Sequence, residues 1–185
     1  MLSYIRPALV TVFAFTLALG LAYPLALTGL GQILFSDAAN GSLIRQGAVI
    51  VGSDLIGQEF AEPGYFHPRP SATDTPYDAM ASSGSNLGPL SIKLKERMAS
   101  DIQKRAAGDV VPADAVMASA SGLDPHISLE NALSQVSRVA AARGIDEQSV
   151  SDLVRATTEK PLWIIGETHV NVLQLNLAID KLTQG

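Results

Sequence analysis

PALVTVFAFTLALGLAYPLALTGL, residues 7–30, decides the architecture, because it holds no charged residue and the uncharged run continues past Phe35 to the next charge, Asp37. As a helix these 24 residues rise about 36 Å at about 1.5 Å each, enough to cross a hydrocarbon core of about 30 Å with some tilt. A soluble core helix would carry a polar face, and this one carries none. A cleaved secretory leader has an apolar region of about 7–15 residues closed by small side chains, whereas this run persists through Pro24 to Phe35. The reading is therefore a retained transmembrane helix. Pro24 lacks an amide hydrogen and frees a backbone carbonyl in the last third of the span, which predicts a kink.

The flanks set the orientation. Arg6 and the amino terminus precede the span, and Asp37 follows it. By the positive-inside rule, residues 1–6 form a short cytoplasmic terminus, residues 7–35 the membrane helix and its exit, and residues 36–185 an extracytoplasmic domain on a single-pass inner-membrane protein. Lipid is then the first partner.

Composition narrows the soluble part. The chain has 185 residues, no cysteine, 13 Lys plus Arg against 18 Asp plus Glu, and a net charge of -5. No disulfide scaffold or Cys-based zinc site is possible, and the acidic balance argues against a nucleic-acid partner. About 150 residues after the span suit one domain.

In that domain, Ala48 to Val51 between Gly47 and Gly52 predicts a short buried strand. From Gly52 to Pro89 glycine and proline punctuate the chain too densely for regular elements, yet Phe60, Tyr65, Phe66 and Tyr77 give an aromatic content foreign to disordered linkers. A long ordered loop region follows. Ile92 to Ala107 spaces Leu94, Met98 and Ile102 as an amphipathic helix stopped by Gly108. DAVMASA after Pro112 predicts a second strand. Ser128 caps a helix running to Arg143 and closed by Gly144. Asp146 caps another through Val150, Leu153 and Val154, LWIIG predicts a third strand, and Asn171 with Gln174 forms a capping box for a last helix. The fold class is a single N-terminal transmembrane helix followed by a small α+β domain.

Chemistry is sparse. Neither SGSNL nor SASGL matches the G-x-S-x-G elbow of a hydrolase, and Pro125 holds Asp124 and His126 apart in an extended segment. His67, His126 and His169 stand singly, so a metal site would need tertiary convergence. SSGSNLGP, residues 82–89, lacks the Lys-Ser/Thr and helix entry of a phosphate loop. No P-type phosphorylation signature occurs. What remains is an anchored domain with a large polar and aromatic loop surface, which suggests a subunit; a free-standing anchored binding or hydrolytic domain is the alternative.

Six ordered blocks, GSDLIGQEF (52–60), YFHPRPSA (65–72), SSGSNLGP (82–89), SGLDPHIS (121–128), QVSRVAAARG (135–144) and VNVLQLNLAID (170–180), together resemble the C subunit family of the bacterial potassium-transporting Kdp ATPase. The resemblance covers nearly the whole chain. It implies a non-catalytic subunit of a high-affinity ATP-driven potassium importer, assembled with a channel-like A subunit, a P-type ATPase B subunit and a small F subunit. It also implies a role as assembly factor and as catalytic chaperone raising the ATP affinity of the B subunit. No tightly bound cofactor is expected, with ATP contacted or coupled through the partner. The glutamine such a family role invokes corresponds to Gln135. The orientation derived above puts the domain across the membrane from a cytoplasmic ATP site, so coupling is expected to be indirect. Docking or structural roles are expected in the loop residues Tyr65, Phe66, His67, Arg69, Ser85, Asn86, Asp124, His126 and Asn171.

Overall fold

In the computed structural model, which describes residues 2–105, 111–160 and 166–184, the chain divides into two compact units, Met1–Leu43 and Ile44–Gly185. The first unit is the apolar helix. It runs as α1 (Leu2–Leu17) and α2 (Tyr23–Leu34), joined without a break by a π-helical turn over Ala18–Ala22. The continuous stretch Ser3–Leu34 has a mean hydropathy of 2.0 and no buried share, long and apolar enough to cross a membrane. Where the kink is expected, the helix carries a π-turn. Because Pro24 cannot donate, the helix widens by one residue just before it, and Tyr23 N–H reaches back to the Ala18 carbonyl. The Pro24 carbonyl accepts from the Thr28 hydroxyl at 2.8 Å. A single turn, α3 (Ser36–Ala39), follows.

The second unit begins with β1 (Leu43–Gln46) and β2 (Val49–Ser53), a two-stranded sheet joined through Gly47, whose φ is +61°. So short a connection permits only an antiparallel pair. The strand read at 48–51 is thus present one residue later and longer, with a partner the sequence did not announce, but it is not buried as expected: Val49 and Ile50 are exposed, because only its far end packs on the domain. α4 (Ile92–Arg105) matches its amphipathic pattern; its expected stop at Gly108 lies outside the described residues.

DAVMASA is a correction. Ala113–Val116 forms one helical turn, α5, started by Pro112. Ala115 and Val116 are buried all the same, which is why the apolar run read as a strand. The second small sheet pairs β3 (His126–Ser128) with β4 (His169–Asn171), antiparallel, with Ile127 opposite Val170. Of the LWIIG strand, residues 162–165 lie outside the described residues, and Gly166 is a bend with φ +108°.

The helix expected from Ser128 to Arg143 is two: α6 (Leu129–Ser134) and α7 (Val136–Arg143), interrupted at Gln135. Its caps are as read. The Ser128 hydroxyl accepts from Asn131 N–H at 3.0 Å, and Gly144 ends the helix at φ +67°. α8 (Glu147–Ala156) is capped by Asp146, which accepts from Ser149 N–H at 3.0 Å. α9 (Val172–Gln184) has half its capping box: Asn171 accepts from Gln174 N–H at 3.1 Å, while the Gln174 side chain turns away to Asp54 at 2.5 Å.

One core unites these pieces. Ile127 and Val170 from the sheet, Ala132, Val136, Val139 and Ala140 from α6 and α7, Val150 and Val154 from α8, and Leu175 and Ile179 from α9 pack together. The loop contributes Phe66, which is 0% exposed.

Candidate functional site

Two of the buried polar side chains of the domain, Gln135 and Asn176, converge on the loop segment PGYFH, residues 63–67. A turn at Pro63 and Gly64 followed by irregular chain with no neighbouring strand leaves main-chain donors and acceptors needing partners. Here side chains supply them. Asn176, on α9 and 1% exposed, accepts from Phe66 N–H at 2.8 Å and donates to the Phe66 carbonyl at 3.0 Å. Gln135 treats the next residue alike, accepting from His67 N–H at 2.7 Å and donating to the His67 carbonyl at 3.0 Å. Two carboxamides thus replace a β-ladder, and Phe66 is driven into the core between them.

Two arginines from α7 hold the upstream residues. Arg138 donates through Nη1 to the carbonyls of Pro63 and Tyr65 at 2.6 and 3.0 Å, and through Nη2 to Gln135 Oε1 at 2.7 Å. Arg143 donates through Nε to the Gly64 carbonyl at 2.8 Å and pairs through Nη2 with Asp180 at 2.7 Å. Its guanidinium carbon lies 4.5 Å from the centre of the Tyr65 ring, and the Tyr65 hydroxyl donates to Asp180 at 3.2 Å. Burial pulls the Arg143 pKa down, but Asp180 and Tyr65 outweigh it and hold the guanidinium above its ordinary value. Phe60 stacks at a tilt on Tyr65, 5.7 Å between centres.

Gln135 ends with both amide hydrogens and its oxygen engaged, the remaining donation going to Asn131 Oδ1 at 3.0 Å. Asn131 in turn donates to Asp114 at 3.0 Å, and Asp114 also accepts from Ser128 N–H at 2.7 Å and the Ser128 hydroxyl at 2.9 Å. The break in the helix at 135 is what aims this side chain inward.

A second cluster surrounds SGLDPHIS. Asp124 accepts from Arg69 at 2.9 Å and from His126 N–H at 3.0 Å, with His126 Nδ1 at 3.3 Å, so Pro125 does not keep the two side chains apart as expected: the Asp124 carboxylate folds over the proline onto the residue two positions on. Burial pushes the Asp124 carboxyl up, yet the His126 side chain and backbone bonds, with Arg69, prevail and hold it below its ordinary 3.8. Across the sheet the His126 and His169 rings meet edge to face, 4.6 Å apart. Gly122, at φ +71°, lies so close to Ser83 that a Cβ would come within 2.7 Å of its carbonyl oxygen, which locks the two loops together. The Asp124-containing turn also carries the Leu123 carbonyl, which accepts from Gly57 N–H at 2.8 Å. Asn171, 2% exposed, donates to Asp54 at 2.9 Å.

The sequence-derived residues therefore fall into four places. Tyr65, Phe66, His67 and Gln135 join the clamp; Arg69, Asp124 and His126 form the second cluster; Asn171 caps α9. Ser85 and Asn86 stand apart on the serine-rich loop, Asn86 exposed with φ +51°. A cleft of about 350 Å³ opens beside the clamp, lined by Glu59, Phe60, His67, Arg69, Tyr77 and Asp101 among others. Among the described residues no group of three or more His, Asp or Glu is placed to hold a metal ion.

Sequence reasoning missed Asn176, Arg143, Asp180, Asn131 and Asp114. One signal was available: Asn176 sits at the i+4 position of the apolar stripe Val172, Leu175, Ile179, where a polar residue must find a buried partner.

Comparison with known proteins completes the picture. Residues 5–181 match the sequence model of the family described as KdpC, K+-transporting ATPase, c chain. A potassium-transporting ATPase KdpC subunit of Caulobacter vibrioides is 54% identical, the match covering 97% of this chain and 94% of the relative. KdpC subunits of Rhodopseudomonas palustris and Myxococcus xanthus are 50% and 52% identical, covering 97% and 98% of this chain and 98% and 89% of theirs. With near-complete coverage by the family and identity above half, the chain belongs to the KdpC family of potassium-transporting ATPase subunits.

Proposed function

We propose that the chain is a membrane-anchored, non-catalytic subunit of an ATP-driven potassium importer, and that its domain stabilises the channel-like and P-type subunits from the extracytoplasmic side. It raises the apparent ATP affinity of the pump subunit by binding one of its conformational states more tightly than the other, without touching nucleotide. The observation that carries this reading is the disposition of the polar groups: Gln135, Asn176, Arg138 and Arg143 are directed at the main chain of residues 63–67. Such a scaffold presents a loop of fixed shape to a partner.

The test assembles the A, B and F subunits with and without this chain. Its presence should raise the yield of intact complex and lower the apparent KM for ATP, while the isolated full chain in detergent shows no saturable binding of a fluorescent ATP analogue. Saturable binding by the chain alone would overturn the indirect mechanism. The absence of native cysteine makes topology directly readable. Ser85→Cys should react with an impermeant thiol reagent in intact spheroplasts, and labelling only after lysis would refute the orientation.

A further inference from the structure

The first strands after the span are poorly covered. Leu43, Val49, Ile50 and Leu55, in and just after the β1–β2 hairpin, are 43%, 65%, 49% and 60% exposed. Two-stranded sheets are marginal by themselves, and apolar edge strands invite unwanted pairing unless charges guard them. From residue 7 to residue 53 the only charges are Asp37 and Arg45, so Arg45 is the hairpin's single guard and β2 carries none. The hairpin is nevertheless held firmly at its root. A Cβ on Gly52 would lie 2.7 Å from the Leu173 side chain of α9, and the Gln58 amide donates to the Val51 carbonyl at 2.8 Å. A braced root and a bare apolar tip are the features of a surface that something covers.

Connectivity says what is nearest. Eight residues separate Leu34 from Leu43, four of them wound into α3, so the strand begins within about 25 Å of the end of the apolar helix. We propose that the hairpin rests on the bilayer itself, with Val49 and Ile50 dipping into the headgroup and upper acyl region and Arg45 reaching lipid phosphate. Backbone edges cannot enter hydrocarbon unpaired, so the contact is interfacial and made by side chains. A long cationic side chain beside apolar ones suits that depth, where its stem is buried and its head meets phosphate. The hairpin then acts as a second foot beside the span and restricts how the domain turns about its tether.

This inference rests on the anchored reading, and the experiment separates the two. The single native tryptophan, Trp163, is replaced by Phe, and Ile50→Trp, Val49→Trp or Phe15→Trp is introduced into the full chain reconstituted in phosphatidylcholine–phosphatidylglycerol vesicles and in the assembled ATPase. Lipids brominated at shallow or deep acyl positions and aqueous iodide then quench the emission. The expected result is shallow-bromine quenching and iodide protection at position 50 or 49, with deep-bromine quenching at 15. Iodide quenching at both 49 and 50, with position 15 still quenched by deep bromine, overturns the proposal alone. Protection from iodide and from every bromolipid in the assembled ATPase means that a protein subunit covers the hairpin, and overturns it as well. Failure at position 15 removes the anchor and the proposal together.

Discussion

Replacing Gln135 by Ala distinguishes a structural carboxamide from a nucleotide ligand. The substitution strands the His67 N–H and carbonyl, and removes a partner from Arg138 and Asn131. A buried main-chain group without a partner costs about 1–3 kcal/mol. His67 is half-buried and water reaches it in part, so the two groups together cost about 2–4 kcal/mol, near the lower half of that range doubled. At about 2–4 °C per kcal/mol for a domain of this size, Tm falls by roughly 5–15 °C. Asn176→Ala strands the same two groups on Phe66 and serves as the matched control, since nothing connects it with nucleotide. Melting of the full chain in detergent gives the stability of each variant, and ATP titration of the assembled ATPase gives the apparent KM. The expectation is that both variants melt early and shift the KM together. Unchanged melting in Gln135→Ala would refute the account of the clamp; equal melting losses with a KM change in Gln135→Ala alone would refute indirect coupling.

Other expectations are as direct. Phe66→Ala should cost about 3–5 kcal/mol in chemical denaturation, since its ring is wholly buried, whereas Phe66→Leu should cost less by refilling part of the cavity. Asp124 has a folded pKa below its ordinary 3.8, so its stabilisation is complete above about pH 4 and is lost as pH falls through the folded value. Denaturation midpoints should drop below pH 4 in the parent, and Asp124→Asn should start lower and flatten that drop; parallel pH curves would refute the assignment. Gly144→Ala meets open space and only left-handed strain, costing about 1–2 kcal/mol, and Gly122→Ala should cost more because Ser83 also obstructs it.

What could be read from the chain alone was local. The span, α4 and the caps Ser128, Asp146 and Asn171 depend on residues within one or two turns of each other, and the structure places them as the pattern implied. The failures are of two kinds. Strands of three residues, His126–Ser128 and His169–Asn171, are too short to show a period. For the same reason Ala115 and Val116 imitated a strand while belonging to a single helical turn. The clamp was illegible because its partners are remote: 68 residues separate His67 from Gln135, and 110 separate Phe66 from Asn176. No sequence window spans such distances, though a polar residue on an apolar stripe indicated that a buried acceptor or donor awaited one.

That remoteness also orders events during synthesis. The apolar helix leaves the ribosome first among these elements, and the loop at 63–67 follows it. Yet Phe66 has no seat until α9 has emerged with Asn176, Leu175 and Ile179. At about 5–20 residues per second, the loop waits several seconds with its aromatic side chains uncovered. Folding of this core is therefore gated by α9, and a chain truncated before α9 would carry an apolar helix attached to an unfinished domain.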